Sequence, residues 1–287
     1  MQAINFHDTR HGTMAHFSAD QCIGLSLQRY GEWAQDEIAL LRHFIAPGDT
    51  VLDLGANVGV HTLAFARLVG PGGRVVAVEG EPATYGLLSY NLIANGLSEI
   101  VTAIPALVGS GEGLVAHSFR PAGDNVGARS FFADVRGLAA PQAGPALTTK
   151  LPLVTVDSLG LQACAVMKID VERMELDALR GSAAVLRRLR PAVYFEYASG
   201  DAEALGETLA LLRGAGYRAW WHVANPFNSR NSRGDTHNIF GGNVEINILA
   251  LPDGREPPRP LPELTDPNQD PPRPSLEAGL PGVAVED

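Results

Sequence analysis

The sequence predicts an α/β fold in which helices cover both faces of a mostly parallel sheet. Short apolar strands alternate with amphipathic helices along most of the chain, which is typical of this class. One strand, Val51–Leu54, runs directly into a glycine-rich turn and a helix. A second strand, Arg74–Val78, is directly followed by Glu79. This order indicates parallel strands whose carboxyl ends share one edge of the sheet.

Each further strand is predicted from a short run of apolar, often β-branched residues. Between Gly109 and Lys150 this pattern gives way to Gly, Ala, Pro and polar residues, which predicts short strands and a loop rather than a second domain. The remaining strands are expected at Ile100–Val108, Ala165–Ile169, Ala192–Glu196, Tyr217–His222 and Glu245–Leu251.

Helices are predicted where apolar residues recur at helical spacing. They are expected at Glu32–Phe44, Gly59–Val69, Pro82–Ala94, Met174–Arg188 and Ala202–Ala215. The pair Asn95-Gly96 is suited to cap the third of these helices. Helices therefore separate most of the strands, as parallel pairing requires.

Composition limits the possible partners. No run approaches the ~18 apolar residues of a membrane span, and the N-terminus lacks a signal pattern, so we expect a cytoplasmic protein with no membrane partner. A net charge of −10 argues against nucleic acid. Cys22 and Cys164 are expected to be small apolar residues rather than a redox or metal pair. The sequence is compatible with a homo-oligomer.

The last part of the chain differs in composition from the rest. Half of the 20 prolines lie between Pro252 and the C-terminus, mixed with acidic residues. Such a segment buries too little apolar surface to fold alone, so we expect a tail that is extended or laid over the surface. The predicted organisation is an N-terminal extension over 1–29, a catalytic domain over 30–252 and a Pro-rich acidic tail over 253–287.

The turn after the first strand of the predicted sheet indicates a cofactor site. Gly55 and Gly59 permit a tight turn and close approach of a ligand to the free N–H groups of the following helix. Glu79 ends the neighbouring strand, where a carboxylate can accept hydrogen bonds from both hydroxyls of a ribose. Together these features predict a cofactor that contains a nucleoside.

The spacing of the glycines favours one nucleoside over another. A dinucleotide site has the pattern GxGxxG, whereas this chain has GxxxG, with Ala56 and Asn57 inside it. Asp53, just before the turn, suits a cationic ligand such as S-adenosylmethionine better than a pyrophosphate. A nicotinamide or flavin site, or a turn without any ligand, are the alternatives.

Several motifs together resemble the FkbM-type methyltransferases. They are DLGANVGVHTLAFA, VVAVEGEP, KIDVERMELDALRGSAAVLRRLRPAVYFEY, GEWAQDE, DNVGARSF, LPLVTVDSL and YRAWWHVANPFN. The resemblance covers about Tyr30 to Pro252. It implies a class I, Rossmann-like methyltransferase fold with seven strands, the last one antiparallel, and S-adenosylmethionine as methyl donor. It also implies O-methylation of a sugar or secondary metabolite.

The resemblance assigns residues to the cofactor. It implies a loop around the methionine end, a carboxylate on the ribose and small apolar residues near the adenine. By position these are Asp53, Gly55, Asn57 and Gly59 for the loop, Glu79 for the ribose, and Ala106 with Leu107 for the adenine. Arg173 stands where the family usually has glycine.

Candidate catalytic groups follow later strands. Asp170, at the end of a strand, is suited to orient the methionine portion or to accept a proton from a hydroxyl. Glu172 has the same possible role, with helix capping as the alternative. Glu196 and His222 are further candidates for the base, and His61 follows the glycine turn, where satisfying local backbone groups is its alternative role.

The acceptor is expected to be a small molecule or a carbohydrate. Trp220, Trp221 and Phe227 lie near His222 in an asparagine-rich stretch, which suits a polyhydroxy ligand or, equally, a packed loop. Asp170 with Asn125 or Glu196 offers oxygen ligands for a divalent ion, but nothing in the sequence requires a metal and none is predicted. A nucleoside-binding scaffold without activity and a nicotinamide-dependent oxidoreductase are the competing hypotheses.

Overall fold

The computed structural model describes residues 3–119, 147–197 and 201–273. The strands in this part of the chain are β1 Ile4–Thr9, β2 Gly12–Phe17, β3 Thr50–Leu54, β4 Arg74–Glu79, β5 Val101–Pro105, β6 Leu107–Val108, β7 Gly113–Phe119, β8 Leu147–Val154, β9 Val166–Ile169, β10 Ala192–Glu196, β11 Tyr217–Ala224 and β12 Glu245–Pro252. The helices are α1 Ile23–Tyr30, α2 Gln35–Leu41, α3 Val60–Val69, α4 Pro82–Ala94, α5 Glu175–Arg180, α6 Ala183–Leu189 and α7 Ala202–Gly214.

The main sheet has seven strands in the order β11-β12-β10-β9-β3-β4-β5. Strands β10, β9, β3, β4 and β5 run parallel to one another. Strand β12 is antiparallel to both β10 and β11. The predicted fold class, a mostly parallel seven-stranded sheet with its last strand antiparallel, is therefore confirmed.

Alternating side chains of the sheet divide the core into two layers. Val51 belongs to a cluster with apolar residues of α1 to α4. The next residue, Leu52, faces the opposite side and packs with apolar residues of α5, α6 and α7. Because successive strand residues point to opposite faces and helices cover both faces, central strands such as β3 and β9 are buried on both sides.

Two smaller sheets flank the main one. Strands β1 and β2 form an antiparallel hairpin in the N-terminal segment. The buried side chain of Asn91, on α4, fixes the hairpin by accepting a hydrogen bond from Ala15 N (2.7 Å) and donating one to Ala15 O (3.0 Å). Strand β8 lies between β6, which is parallel to it, and β7, which is antiparallel.

Three predicted elements are interrupted. The helix expected over Glu32–Phe44 is preceded by α1, begins as α2 only after Ala34, whose φ is +53°, and ends in a 3-10 turn. The long helix after β9 breaks between α5 and α6, where Gly181 packs so closely on Gly109 O that a Cβ would lie 2.1 Å away. The strand expected over Ile100–Val108 splits at Ala106, where β6 leaves the main sheet.

The described part of the tail lies along the edge strand β11. Trp221 N donates to Pro262 O (2.8 Å), and Leu264 N donates to Ala219 O (2.8 Å). The Leu264 side chain is 2% exposed and packs into the core. Across the described ranges, no helix is long and apolar enough to cross a membrane.

Candidate active site

A cavity of about 350 Å³ lies at the carboxyl ends of the central strands. Among its lining residues are nine of the twelve residues that the sequence singled out for the cofactor or for catalysis: Gly55, Asn57, His61, Glu79, Ala106, Leu107, Asp170, Glu172 and Glu196. Clefts at this edge of an open parallel sheet are the usual ligand sites of such folds. The structure therefore brings most of the predicted residues into one place.

The glycine turn is shaped by close approach of two backbone segments. Gly55 has a φ of +76°, and a Cβ on it would lie 1.7 Å from the carbonyl oxygen of Asp170. Gly55 N and Ala56 N both donate to Val78 O (2.9 and 3.0 Å), which joins the turn to β4. Only glycine fits here, since other residues strain the backbone at positive φ and carry a Cβ.

Glu79 lies beside this turn, as the sequence predicted. Its carboxylate accepts hydrogen bonds from Asn57 N (2.9 Å) and Glu81 N (2.7 Å). Burial raises the pKa of Glu79 to about 7, against the lowering effect of these two bonds. A carboxylate has about four acceptor positions, so two bonds leave room for ribose hydroxyls.

Two residues of the predicted cofactor loop do not line the cavity. The carboxylate of Asp53 is fully buried, accepts a hydrogen bond from Thr62 Oγ1 (2.6 Å) and lies 4.0 Å from Lys168 Nζ. Gly59 directly precedes α3 and has a φ of +97°. A Cβ on it would lie 2.8 Å from the Leu88 side chain. Both residues support the turn from outside the cavity lining, and direct contact of either residue with a ligand stays a prediction.

Asp170 projects into the cavity from the end of β9. Its carboxylate accepts a hydrogen bond from Lys168 Nζ (3.1 Å), and its side chain is 42% exposed. Burial alone would lower the pKa of Lys168, but the charges of Asp170, Asp53 and Glu37 raise it. Lys168 therefore stays protonated, and its charge is already shared among carboxylates.

The turn after Asp170 has unusual backbone geometry. Glu172 and Arg173 have φ values of +50° and +75°, in the left-handed region. Such conformations cost roughly 1–3 kcal/mol for residues other than glycine. The glycine that the resembling family usually has at position 173 would adopt this conformation without strain.

A group of acidic residues lies beyond Asp170, around the ends of β9, β10 and β12. Burial raises the pKa of Glu196 to about 8, with further contributions from Asp170, Glu172, Glu175 and Glu245. Burial also raises the pKa values of Glu172 and Glu245 to about 7. These carboxylates repel one another and hold protons near neutral pH.

The N-terminal part of the chain completes the cavity with residues that the sequence did not single out. Trp33, Glu37 and Asp20 line it, together with Cys22 and Ile23. Glu37 is buried, accepts a hydrogen bond from Asn247 Nδ2 (3.2 Å) and has its pKa raised to about 7 by burial. The only sequence signal for Glu37 was its place in the family-like GEWAQDE segment, because nothing local shows that α2 folds over the sheet edge.

His222 lies outside the cavity lining and is 1% exposed. Its Nδ1 is 2.7 Å from the Tyr194 hydroxyl, and its Nε2 accepts a hydrogen bond from Arg259 Nη2 (2.7 Å). Trp220 and Trp221 are buried in the core. These positions favour the packed-loop alternative for the tryptophans, and the catalytic role of His222 stays a prediction.

The described residues offer no ready metal centre. Within these ranges no three His, Cys, Asp or Glu side chains are arranged to hold a metal ion. Asn125, which we considered as a ligand with Asp170, and the rest of the DNVGARSF segment lie outside the described residues.

The fold and this site define a class I methyltransferase that depends on S-adenosylmethionine. Residues 53–219, more than half of the chain, match the model of the methyltransferase FkbM domain. The chain belongs to this family. The competing oxidoreductase hypothesis is thereby set aside.

The chain is also similar to individual proteins. The chain is 30% identical over 229 residues to the 31-O-demethyl-FK506 methyltransferase FkbM of Streptomyces tacrolimicus, covering 71% of this chain and 85% of the relative. It is 41% identical over 73 residues to a protein-L-isoaspartate O-methyltransferase of Aeropyrum pernix, covering 25% and 27%. A solved structure of methyltransferase FkbM from Methylobacillus flagellatus KT matches with a TM-score of 0.46 and 15% identity, over 72% of this chain and 44% of that one.

Proposed function

We propose that this methyltransferase transfers the methyl group to a hydroxyl oxygen of a sugar or secondary metabolite. The observation that carries the proposal is that Glu172 and Glu196 line the same cavity as the glycine turn and Glu79. A carboxylate beside the methyl donor can take the proton of an attacking alcohol. The name of the Streptomyces relative, which specifies an O-demethyl substrate, supports the same choice of atom.

The residues present fit S-adenosylmethionine as the methyl donor. Glu79 would accept hydrogen bonds from the ribose, Ala106 and Leu107 would pack on the adenine, and the turn at Gly55 and Asn57 would face the methionine portion. When bound, the cofactor supplies a methyl group activated by a positively charged sulfur. The described lining contains acidic side chains but no lysine or arginine, which suits a cationic ligand.

Glu196 is the carboxylate that we assign as general base. Its raised pKa, about 8, makes it a stronger proton acceptor than an ordinary glutamate once it is ionised. Asp170 is less suited, because Lys168 donates a hydrogen bond to it and stabilises its charged form. Glu196 would take the hydroxyl proton while the walls of the cavity hold the acceptor in line and keep water out.

Cofactor titration and product analysis test the proposal. Calorimetry should show saturable binding of S-adenosylmethionine and of its demethylated product, and no comparable binding of NAD. Incubation with sugar and macrocyclic alcohols, followed by mass spectrometry and NMR, should give a methyl ether. Products carrying the methyl group on nitrogen or carbon would contradict the proposal, and binding without turnover on any acceptor would favour the scaffold hypothesis.

A variant tests the assignment of the base. Glu196→Gln should lower kcat about 10²- to 10⁴-fold, the usual contribution of a positioned base, while the Kd of the cofactor stays unchanged. Glu99→Gln changes the same charge on an exposed residue outside the cavity lining and serves as the control. An unchanged kcat in Glu196→Gln would remove Glu196 from this role.

A further inference from the structure

Part of the cavity wall is apolar and comes from the N-terminal segment. Cys22, Ile23 and Trp33 line the cavity there. Of the three tryptophans in the chain, Trp33 lines the cavity, whereas Trp220 and Trp221 are buried in the core. An aromatic side chain on a cavity wall offers a ligand a large and rigid apolar surface.

The backbone on both sides of Trp33 is fixed in place. Ala34 has a φ of +53°, in the left-handed region that is costly for residues other than glycine. On the other side, the carboxylate of Glu32 is buried and accepts three hydrogen bonds. Their donors are Arg10 Nε (2.7 Å), Asn228 Nδ2 (2.7 Å) and Ser232 N (3.0 Å). Strained backbone persists only where its surroundings enforce it, and such positions cluster at functional sites.

The indole of Trp33 is also supported by a second ring. Phe240, between β11 and β12, packs against it with the ring centroids 5.6 Å apart and the planes at 63°. Phe240 in turn packs on Tyr30, at 6.1 Å. Trp33 is nevertheless only half-buried, and part of its surface lines the cavity. An aromatic residue that is held in this way loses little conformational entropy when a ligand binds.

Polar groups line the same cavity as Trp33. Asn247 carries an amide there and Glu196 a carboxyl group, and both groups can form hydrogen bonds with hydroxyls. A ligand that suits the cavity therefore has an apolar surface for Trp33 and hydroxyls for these groups. A pyranose-type ring has both, because C–H groups cover its faces and hydroxyls surround its edge.

We propose that Trp33 binds the acceptor by stacking on the C–H face of a pyranose-type ring, and that this ring carries the hydroxyl to be methylated. The inference rests on the proposed function, because a hydroxyl of the same ring would face Glu196. It narrows the acceptor from alcohols in general to alcohols on such a ring. Open-chain alcohols with the same hydroxyls lack the flat C–H face and would lose this contact.

The tryptophans of the protein provide a direct test. A panel of methyl pyranosides, beginning with methyl glucoside, is titrated into protein saturated with the demethylated cofactor, each beside its open-chain alditol. Calorimetry gives the Kd, and tryptophan fluorescence reports on the site, because Trp220 and Trp221 lie away from the cavity. We expect pyranosides to bind about tenfold or more tighter than alditols, the effect of one aromatic anchor, and to change the fluorescence.

Two substitutions link the preference to Trp33. Trp33→Phe keeps an aromatic ring, so pyranosides should still bind within about fivefold of the unaltered protein, but without the change in tryptophan fluorescence. Trp33→Leu keeps an apolar side chain without a ring and should weaken pyranoside binding about tenfold or more, with the Kd values of alditols and demethylated cofactor unchanged. Tyr90→Leu, which removes an exposed aromatic ring outside the cavity lining, should change none of these values.

Several results would overturn the inference. They are no binding by any pyranoside, a fluorescence change that persists in Trp33→Phe, and an equal loss of pyranoside and alditol binding in Trp33→Leu, which a purely structural role of Trp33 would produce. O-methylation of open-chain alcohols alone would overturn it while leaving the proposed function intact. N-methylated products would contradict the proposed function instead.

Discussion

Removal of the tail should destabilise the protein measurably, although its composition predicted only a segment that is extended or laid over the surface. The tail buries Leu264 against the core and forms two backbone hydrogen bonds with β11. Arg259 also pairs with Asp36 on α2, at a distance of 3.1 Å. A chain that ends at Pro252 loses all of these contacts at once.

The expected loss of stability follows from these contacts. Burial of one leucine contributes about 1.5–3 kcal/mol, and each hydrogen bond about 0.5–1.5 kcal/mol, which gives roughly 3–6 kcal/mol together. For a domain of this size that corresponds to a fall in Tm of about 10 °C. Because the ion pair of Arg259 is partly exposed, we assign it no part of this total.

Thermal melts of three chains test the expectation. The full chain and a chain that ends at Arg273 should melt at similar temperatures, since the shorter one keeps every contact named above. The chain that ends at Pro252 should still melt cooperatively, but about 10 °C lower. A melting temperature within about 2 °C of the longer chains would refute the reasoning, since it would correspond to less than about 1 kcal/mol.

Three further outcomes follow from the site. Glu79→Gln should raise the Kd for S-adenosylmethionine about 10- to 150-fold, because the variant loses one charge-assisted hydrogen bond to the cofactor. Calorimetry measures this Kd, and an unchanged value would remove Glu79 from the cofactor site. Gly55→Ala should fail to give a folded protein by circular dichroism, because its Cβ would meet Asp170 O, and a normal melt would show that the turn adapts. The Tm of the ligand-free protein should fall as pH rises from about 5 to 8. In this pH range the folded state binds more protons than the unfolded state, because the pKa values of Glu37 and Glu79 are raised in the folded state. A Tm that rises with pH over this range would contradict these shifts.

The part of the cavity around the glycine turn and Glu79 was largely predictable because parallel strands impose its geometry. Strands β3, β4, β9 and β10 end at one edge, so residues that end or directly follow them, such as Gly55, Glu79, Asp170 and Glu196, meet there whatever the loops do. Asp53 differs from these residues. It lies within β3, where its side chain turns away from the cavity toward Thr62 on α3.

The part of the cavity that is lined by Glu37 and Glu245 was not predictable in the same way. Glu37 reaches the cavity from α2, and Glu245 from the start of the antiparallel strand β12. Neither position follows from strand order, because both depend on how distant segments pack across the sheet edge. His222 shows the same limit: its polar, aromatic neighbourhood suited a binding surface or, equally, a packed loop, and the sequence did not show that Arg259 from the tail lies against its ring.

The cavity is assembled from two sources along the chain. Gly55, Glu79 and Asp170 come from within residues 53–219, the stretch shared with the family, whereas Glu37 and Glu245 come from its two flanks. Under the proposed function, we therefore expect substitutions in the flanks to change which molecule receives the methyl group and to leave the glycine turn and Glu79 in place. Exchange of the flanking segments between relatives would test this expectation.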